Sequence, residues 1–411
     1  MLPSKTCRFC DEILNKTFID LGTSPLSNAY LTQEDLDKKE VFYPLHVKIC
    51  EKCFLVQLPQ YETPENIFSD YAYFSSYSAS WLQHASAYTE MMIERFGIDT
   101  KWNVVEIASN DGYLLQYFKN KNIPVLGIEP AENVACVAEA KGIPTQSVFF
   151  GKETAENLAR DRGKANLLIG NNVLAHVPDL NDFVSGLKLL LAPQGIITIE
   201  FPHLLRLIEE NQFDTIYHEH FSYFSLFTVQ KIFAKHHLSL FDVEEVTVHG
   251  GSLRIFAKHA DDQTKPVTSR VAEIIESEKR FGLDNINTYQ HFSTKIEKLK
   301  FELLEFLLNA KKMGKKVAGY GAPAKGNTLL NFYGVYKDLL EFTVDKNPYK
   351  QNRYLPGTRI PVFHPNKLSE ERPDYLLVLP WNLKNEIMEQ VAHIKEWGGK
   401  FVLPIPSLEI I

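Results

Sequence analysis

The stretch NVVEIASNDG, residues 103–112, runs an apolar strand into an acid, a turn of small polar residues and a glycine, and YLLQYFKNK (113–121) follows with helical spacing. VLGIEPA (125–131) repeats the strand and the acid. Strand-like and helix-like segments then alternate through ENVACVAEAKG (132–142), NLLIGNNVL (166–174), DFVSGLKLLL (182–191) and GIITIEF (195–201). Apolar runs of strand length separated by helical patterns predict an α/β fold with a doubly wound sheet, and VEEVTVHGGSLRIFAKH (243–259) reads as an antiparallel hairpin closing it. Ligands of such sheets bind at the carboxyl ends of the strands, so the residues just past each strand carry the functional reading.

A dinucleotide site would want three glycines in the first turn, so that backbone could approach a pyrophosphate. This turn has one glycine, and Glu106 stands in front of it. An acid there repels pyrophosphate and suits a ligand with cationic ends, such as S-adenosylmethionine with its amino group and sulfonium. Glu129, ending the second strand, is placed to accept ribose hydroxyls. The loop resembles that of the seven-stranded class I methyltransferases, departing from their E/D-x-G-x-G pattern with Ala108 and Asn110 at the two glycine places. That resemblance implies Glu106, Ala108, Asn110, Asp111 and Gly112 around the methionine end, Glu129 and Pro130 at the ribose, and Asn171 near the fourth strand.

Four of the five cysteines form two pairs, Cys7-x-x-Cys10 and Cys50-x-x-Cys53. Two such knuckles supply the four soft ligands of a closed structural Zn2+ site, which would staple a small N-terminal domain whose own core is marginal. Disulfides need an oxidising compartment, and no secretory signal is visible in MLPSKTCRFC (1–10). Cys136 reads as a buried small residue on a helix.

After GIITIEF comes EFPHLLRLIEENQFDTIYHEHFSYFSLFTV (200–229), dense in His, Tyr, Phe and acids at a substrate-side position. Its Tyr217-His218-Glu219-His220 groups a carboxyl, two imidazoles and a phenol able to move a proton near neutral pH. The histidines stand at i and i+2, not at the i and i+4 of a zinc-binding helix. His176 ends the fourth strand and reaches toward the same place. Further on, an apolar-striped helix in STKIEKLKFELLEFLLNAKKMGKK (293–316) precedes VAGYGAPAKGN (317–327), a second strand, glycine turn and helix start. There backbone amides with Gly321, Lys325 and Asn327 can cradle a phosphate.

At 411 residues the chain exceeds one ordinary core, and three domains are expected: 1–66, 67–282 and 283–411. Its 45% hydrophobic and 23% charged residues are those of a folded chain. The 44 Lys and Arg against 51 Asp and Glu lack the basic footprint of a nucleic-acid binder, and no apolar run approaches the ~18 residues of a membrane span. The expectation is a cytoplasmic monomer with neither nucleic acid nor membrane as partner.

In order along the chain, the four-cysteine module, EIASNDGYLL, NNVLAHV, FDTIYHEHFSYFS, VHGGSLR and GYGAPAKGNTLLN together resemble the sugar C-methyltransferases that act on nucleotide-diphosphate 4-keto sugars. The resemblance implies a class I methyltransferase domain between a zinc-binding N-terminal domain and a Rossmann-like C-terminal one that helps hold a TDP- or GDP-linked sugar. It implies His220 as the base that removes the C3 proton, and Glu219 as the group orienting it. Tyr217 and His176 would contact the sugar or its enolate oxygen, and Tyr71, favoured over Tyr73, is a further site tyrosine. Methyl transfer to oxygen or nitrogen, and a non-catalytic nucleotide-sugar binder, are the competing readings.

Overall fold

The computed structural model describes residues 5–68 and 74–411; Tyr71 and Tyr73 lie outside them. The central sheet is built from Val104–Ile107, Val125–Ile128, Thr145–Gln146, Ala165–Asn171, Leu191–Pro202, Leu238–Val246 and Ser252–His259. Counted in chain order, these lie side by side as 3-2-1-4-5-7-6, and only strand 7, Ser252–His259, runs antiparallel to its neighbours. Leu167, Leu168 and Ile169 are all fully buried, the continuous apolar run expected of a strand covered by helices on both faces. The strand order reverses between Val104–Ile107 and Ala165–Asn171, which opens a crevice at their carboxyl ends.

A second seven-stranded sheet follows. In it Val317–Tyr320, Thr343–Val344, Pro361–Phe363, Tyr375–Val378 and Lys400–Leu403 are parallel, and short antiparallel strands guard both edges. The third sheet joins distant parts of the chain: Lys16–Ser24, Tyr43–Ile49 and Val56–Gln57 are completed by Ser222–Tyr223. The aromatic segment after the fifth central strand therefore adds an edge strand to the N-terminal sheet, where its backbone groups find partners.

The three units share cores. The helix Phe292–Lys312 buries Phe292, Ile296, Leu299, Leu303 and Leu307, the three- and four-residue spacing of one helical face. Phe18 of the N-terminal sheet stacks on Phe292 at 5.0 Å. Cys136 corrects the sequence reading: it is exposed, because the helix Glu132–Ala140 turns Val134, Ala135 and Ala138 inward instead.

Candidate active site

The two cysteine knuckles have the same backbone. The Cys7 and Cys50 amides donate to the carbonyls of Glu12 (2.7 Å) and Leu55 (3.0 Å), and the amides of Asp11 and Phe54 return to the carbonyls of Cys7 and Cys50, each at 3.0 Å. Asp11 and Phe54 both take positive φ, +60° and +63°. These matched turns aim four thiols at one point, with Cys7–Cys53 and Cys10–Cys50 sulfurs 3.6 and 3.5 Å apart and all four within 4.8 Å. A tetrahedral zinc with Zn–S bonds of about 2.3 Å sets its sulfurs about 3.8 Å apart, so the donors fit the ion. Gln57 donates to the Cys7 sulfur at 3.2 Å, the outer hydrogen bond that orients such ligands. Arg8, half-buried in the first knuckle, donates to the carbonyls of Pro178 and Leu58.

Pro178 belongs to the wall of a cavity of about 520 Å3 into which all three domains project. Its cofactor end is the crevice at the strand-order reversal. Ala108 and Asn110 adopt φ of +56° and +49°, so the loop keeps a glycine-like backbone without glycine. The Asn110 side-chain oxygen accepts from the Ser75 amide at 2.8 Å. Gly112 (φ +75°) takes the left-handed backbone that favours glycine, and a Cβ there would displace the terminal methyl of Ile143, 2.3 Å away. Glu129 lines the cavity and accepts from the amides of Asn110 and Ala131, both at 2.9 Å. Each oxygen retains a second lone pair for a ribose hydroxyl. Ala108, Asn110, Pro130 and Asn171 line the same end, and the buried side-chain oxygen of Asn171 has no hydrogen-bond partner among the described residues.

Glu106, Asp111 and Gly112 are set back from the cavity. Burial pushes the Glu106 carboxyl well above the ordinary range, opposed by the Tyr113 hydroxyl and reinforced by the nearby carboxylates of Glu129 and Asp111. A cationic amino group brought to this end would relieve that burden, so the residues fit S-adenosylmethionine. Asp111 secures the loop instead, through Ser76 and an ion pair with Lys141 at 3.0 Å.

Across the cavity the His220 ring donates from Nδ1 to the Thr215 carbonyl at 2.8 Å, which makes Nε2 the basic nitrogen of the neutral ring. Its centroid lies 4.0 Å from Tyr217 and 4.7 Å from His176. His176 donates from Nδ1 to the Glu219 carbonyl at 2.7 Å, and burial pushes it down to about 4. The Glu219 carboxylate takes its hydrogen bond from Asn28 at 3.1 Å, and burial pushes it up to about 7. His218 turns away, donating from Nε2 to the Pro44 carbonyl beside Tyr43 and Tyr61.

The C-terminal domain supplies the remaining wall. Lys325 and Lys350 line it, whereas Gly321 and Asn327 do not. Gly321 packs against Pro380, and Asn327 is buried, donating to the Ser27 carbonyl of the N-terminal domain. Sequence reasoning missed Thr215, Asn28 and Trp81. Thr215 acts through its carbonyl, which any residue would offer, and Asn28 sits in a featureless SPLSNAY. Trp81 did carry a signal, an aromatic three residues before His84 on one helix face; its ring lies nearly parallel to those of His84 (4.9 Å) and Tyr113 (5.7 Å).

Three family models match successive stretches of the chain. Matching family models describe a zinc binding domain over residues 7–68, a methyltransferase domain over 80–242 and a C-methyltransferase C-terminal domain over 247–406. The C-methyltransferase NovU of Streptomyces niveus is 37% identical over 411 residues, covering 100% of this chain and 97% of that protein. A ubiquinone biosynthesis O-methyltransferase of Bartonella tribocorum is 26% identical over 97 residues, 23% of this chain and 39% of that protein. Among solved structures, magnesium protoporphyrin IX methyltransferase of Synechocystis PCC 6803 with bound SAM aligns with a TM-score of 0.33 at 15% identity, over 43% of this chain and 78% of that one. With its zinc knuckles, its cofactor crevice and its full-length likeness to NovU, the chain belongs to the C-methyltransferase family and is an S-adenosylmethionine-dependent enzyme with a structural zinc site.

Proposed function

We propose that the enzyme removes the C3 proton of a nucleotide-diphosphate 4-keto-6-deoxy sugar and methylates the resulting enolate carbon, giving a branched deoxysugar. The observation that carries this reading is the His220 ring, held by Thr215 with Nε2 basic, in the same cavity as Glu129 and Asn110. Methylating carbon demands a carbanion equivalent, and a proton beside a ketone is the most accessible source. His220 takes that proton at Nε2 while the C–H electrons pass into the C3–C4 bond and onto the ketone oxygen. Tyr217 donates to that oxygen as charge develops there, while the neutral His176 ring, its N–H committed to the Glu219 carbonyl, accepts from a sugar hydroxyl at Nε2. Tyr71 is a further proposed contact to the sugar, and Glu219 supports the segment that carries His220. When bound, S-adenosylmethionine supplies the electrophilic methyl that the enolate carbon accepts. Glu129 and Pro130 hold its ribose, Asn110 and Asn171 line its methionine end, and the buried Glu106 carboxyl set back behind them favours its cationic amino group. Lys325, with the backbone at Pro323 and Ala324 that lines the same wall, receives the diphosphate, whose nucleoside is thymidine or guanosine.

The test is hydrogen exchange. A 4-keto-6-deoxy sugar nucleotide incubated in D2O with enzyme and no cofactor gains deuterium at C3, and adding cofactor places one methyl on that carbon, read by NMR and mass. A methyl on oxygen or nitrogen overturns the reading.

A further inference from the structure

The short turn Phe213–Thr215 faces two ways. The carbonyl of Thr215 holds Nδ1 of His220 at 2.8 Å. One residue earlier, the fully buried Asp214 accepts from the indole N–H of Trp381, in the C-terminal domain, at 2.7 Å. The face of that indole carries the Lys325 ammonium 4.5 Å from its centroid, and Lys325 also donates to Asn382 at 2.8 Å. On the other side of the turn, the Thr328 hydroxyl donates to the Ile216 carbonyl at 2.9 Å. The indole is boxed in. A Cβ at Gly250, in the VHGGSLR tip of the central hairpin, would lie 2.7 Å from Trp381 Cη2. Gly250 therefore leaves room for the Trp381 ring and the Gln212 side chain beside it. Burial pushes Asp214 up to about 6 against the pull of the Lys325 charge, so its contact with Trp381 is made in a dry, low-dielectric place.

We propose that Asp214 and Trp381 are positioning residues that join the anion-binding wall of the cavity to the base. They fix the Phe213–Thr215 turn, and through its carbonyl the His220 ring, to the same indole that holds Lys325. A phosphate engaging Lys325 then bears on a rigid unit that includes the base, so binding energy from the remote end of the substrate serves orientation at the reacting carbon. The inference rests on the reading of His220 as the base, and its test separates the two.

Full-length enzyme labelled with 13C,15N-histidine is prepared as wild type, Trp381→Phe and Asp214→Asn, with the His220 signal assigned by its loss in His220→Gln. The wild type shows His220 protonated at Nδ1. Both variants are expected to move it to a mixture of tautomers and to lower the C3 exchange rate at least tenfold through kcat, while the Kd for S-adenosylmethionine stays within twofold. If one variant does not fold, the other decides. An unmoved His220 signal overturns the link, and so does a cofactor affinity that falls in step with exchange. If the wild type exchanges no sugar C3 proton but the variants still shift the His220 signal, the base reading fails and the link stands.

Discussion

His176 and His220 meet edge to face with ring centroids 4.7 Å apart and an interplanar angle of 65°, each donating Nδ1 to a backbone carbonyl of the 215–219 segment. Each neutral ring thereby has its basic nitrogen on the side away from that segment. Burial holds His176 near 4, so it stays neutral at pH 7, presents Nε2 as an acceptor and does not store a positive charge beside His220.

Replacing His220, the proposed base, tests this division of labour. His220→Ala is expected to lower kcat by about 10²–10⁴-fold, the usual worth of a positioned general base. Cofactor affinity, measured by calorimetry, stays within twofold because His220 lies across the cavity from Glu129.

Glu219 makes a stability prediction with a defined sign. Its folded-state carboxyl sits near 7 and its unfolded one near 4.5, so between those values the folded chain holds the extra proton and stability falls as pH rises. Above pH 7 the penalty is constant, on the order of 3 kcal/mol. Relative to wild type, Glu219→Gln gains Tm progressively from pH 4.5 to 7 and no further beyond; a pH-independent difference in melting would show that burial does not hold the proton.

Ala108 pays for a left-handed backbone with a Cβ. At φ +56° a glycine carries no such penalty, so Ala108→Gly is expected to raise stability by about 1 kcal/mol in urea melts while leaving the loop's path unchanged. A loss of stability would mean that the Ala108 side chain contributes packing that outweighs its strain.

Glu129 accepts two backbone amides and faces the cofactor cavity. Glu129→Gln keeps one acceptor and is expected to weaken S-adenosylmethionine binding at least tenfold. The C3 exchange expected without cofactor should change little, because the proposed proton removal does not use this side chain.

The zinc lies apart from the chemistry, since none of the four cysteines lines the cavity. Cys50→Ser is expected to abolish the one-to-one metal content read by elemental analysis and to lower Tm. Activity should fall with the folded fraction, not ahead of it, because the Arg8 contacts to Pro178 and Leu58 depend on the knuckle being formed.

Local pattern was enough for the elements. Strand runs such as NLLIG and the striped helix Phe292–Lys312 are legible because one or two faces must be apolar along a fixed period. The knuckles are legible because C-x-x-C spacing is itself the geometry of the site. The glycine turn at residues 319–327 was legible as a turn but not in its parts: Lys325 reaches the cavity, while Asn327 is spent on Ser27.

Reading residues 103–259 alone establishes a doubly wound sheet, an acid at the end of each of its first two strands and a polar aromatic segment beyond the fifth. Folding alone decides that this segment becomes an edge strand of the N-terminal sheet, that Thr215 holds His220, and that Asp214 meets Trp381 across 167 residues of chain. Periodicity reports only which face of an element avoids water. Which carbonyl or carboxylate a buried donor meets depends on how separate elements dock, and that is set by shape and by the need of every buried polar group for a partner.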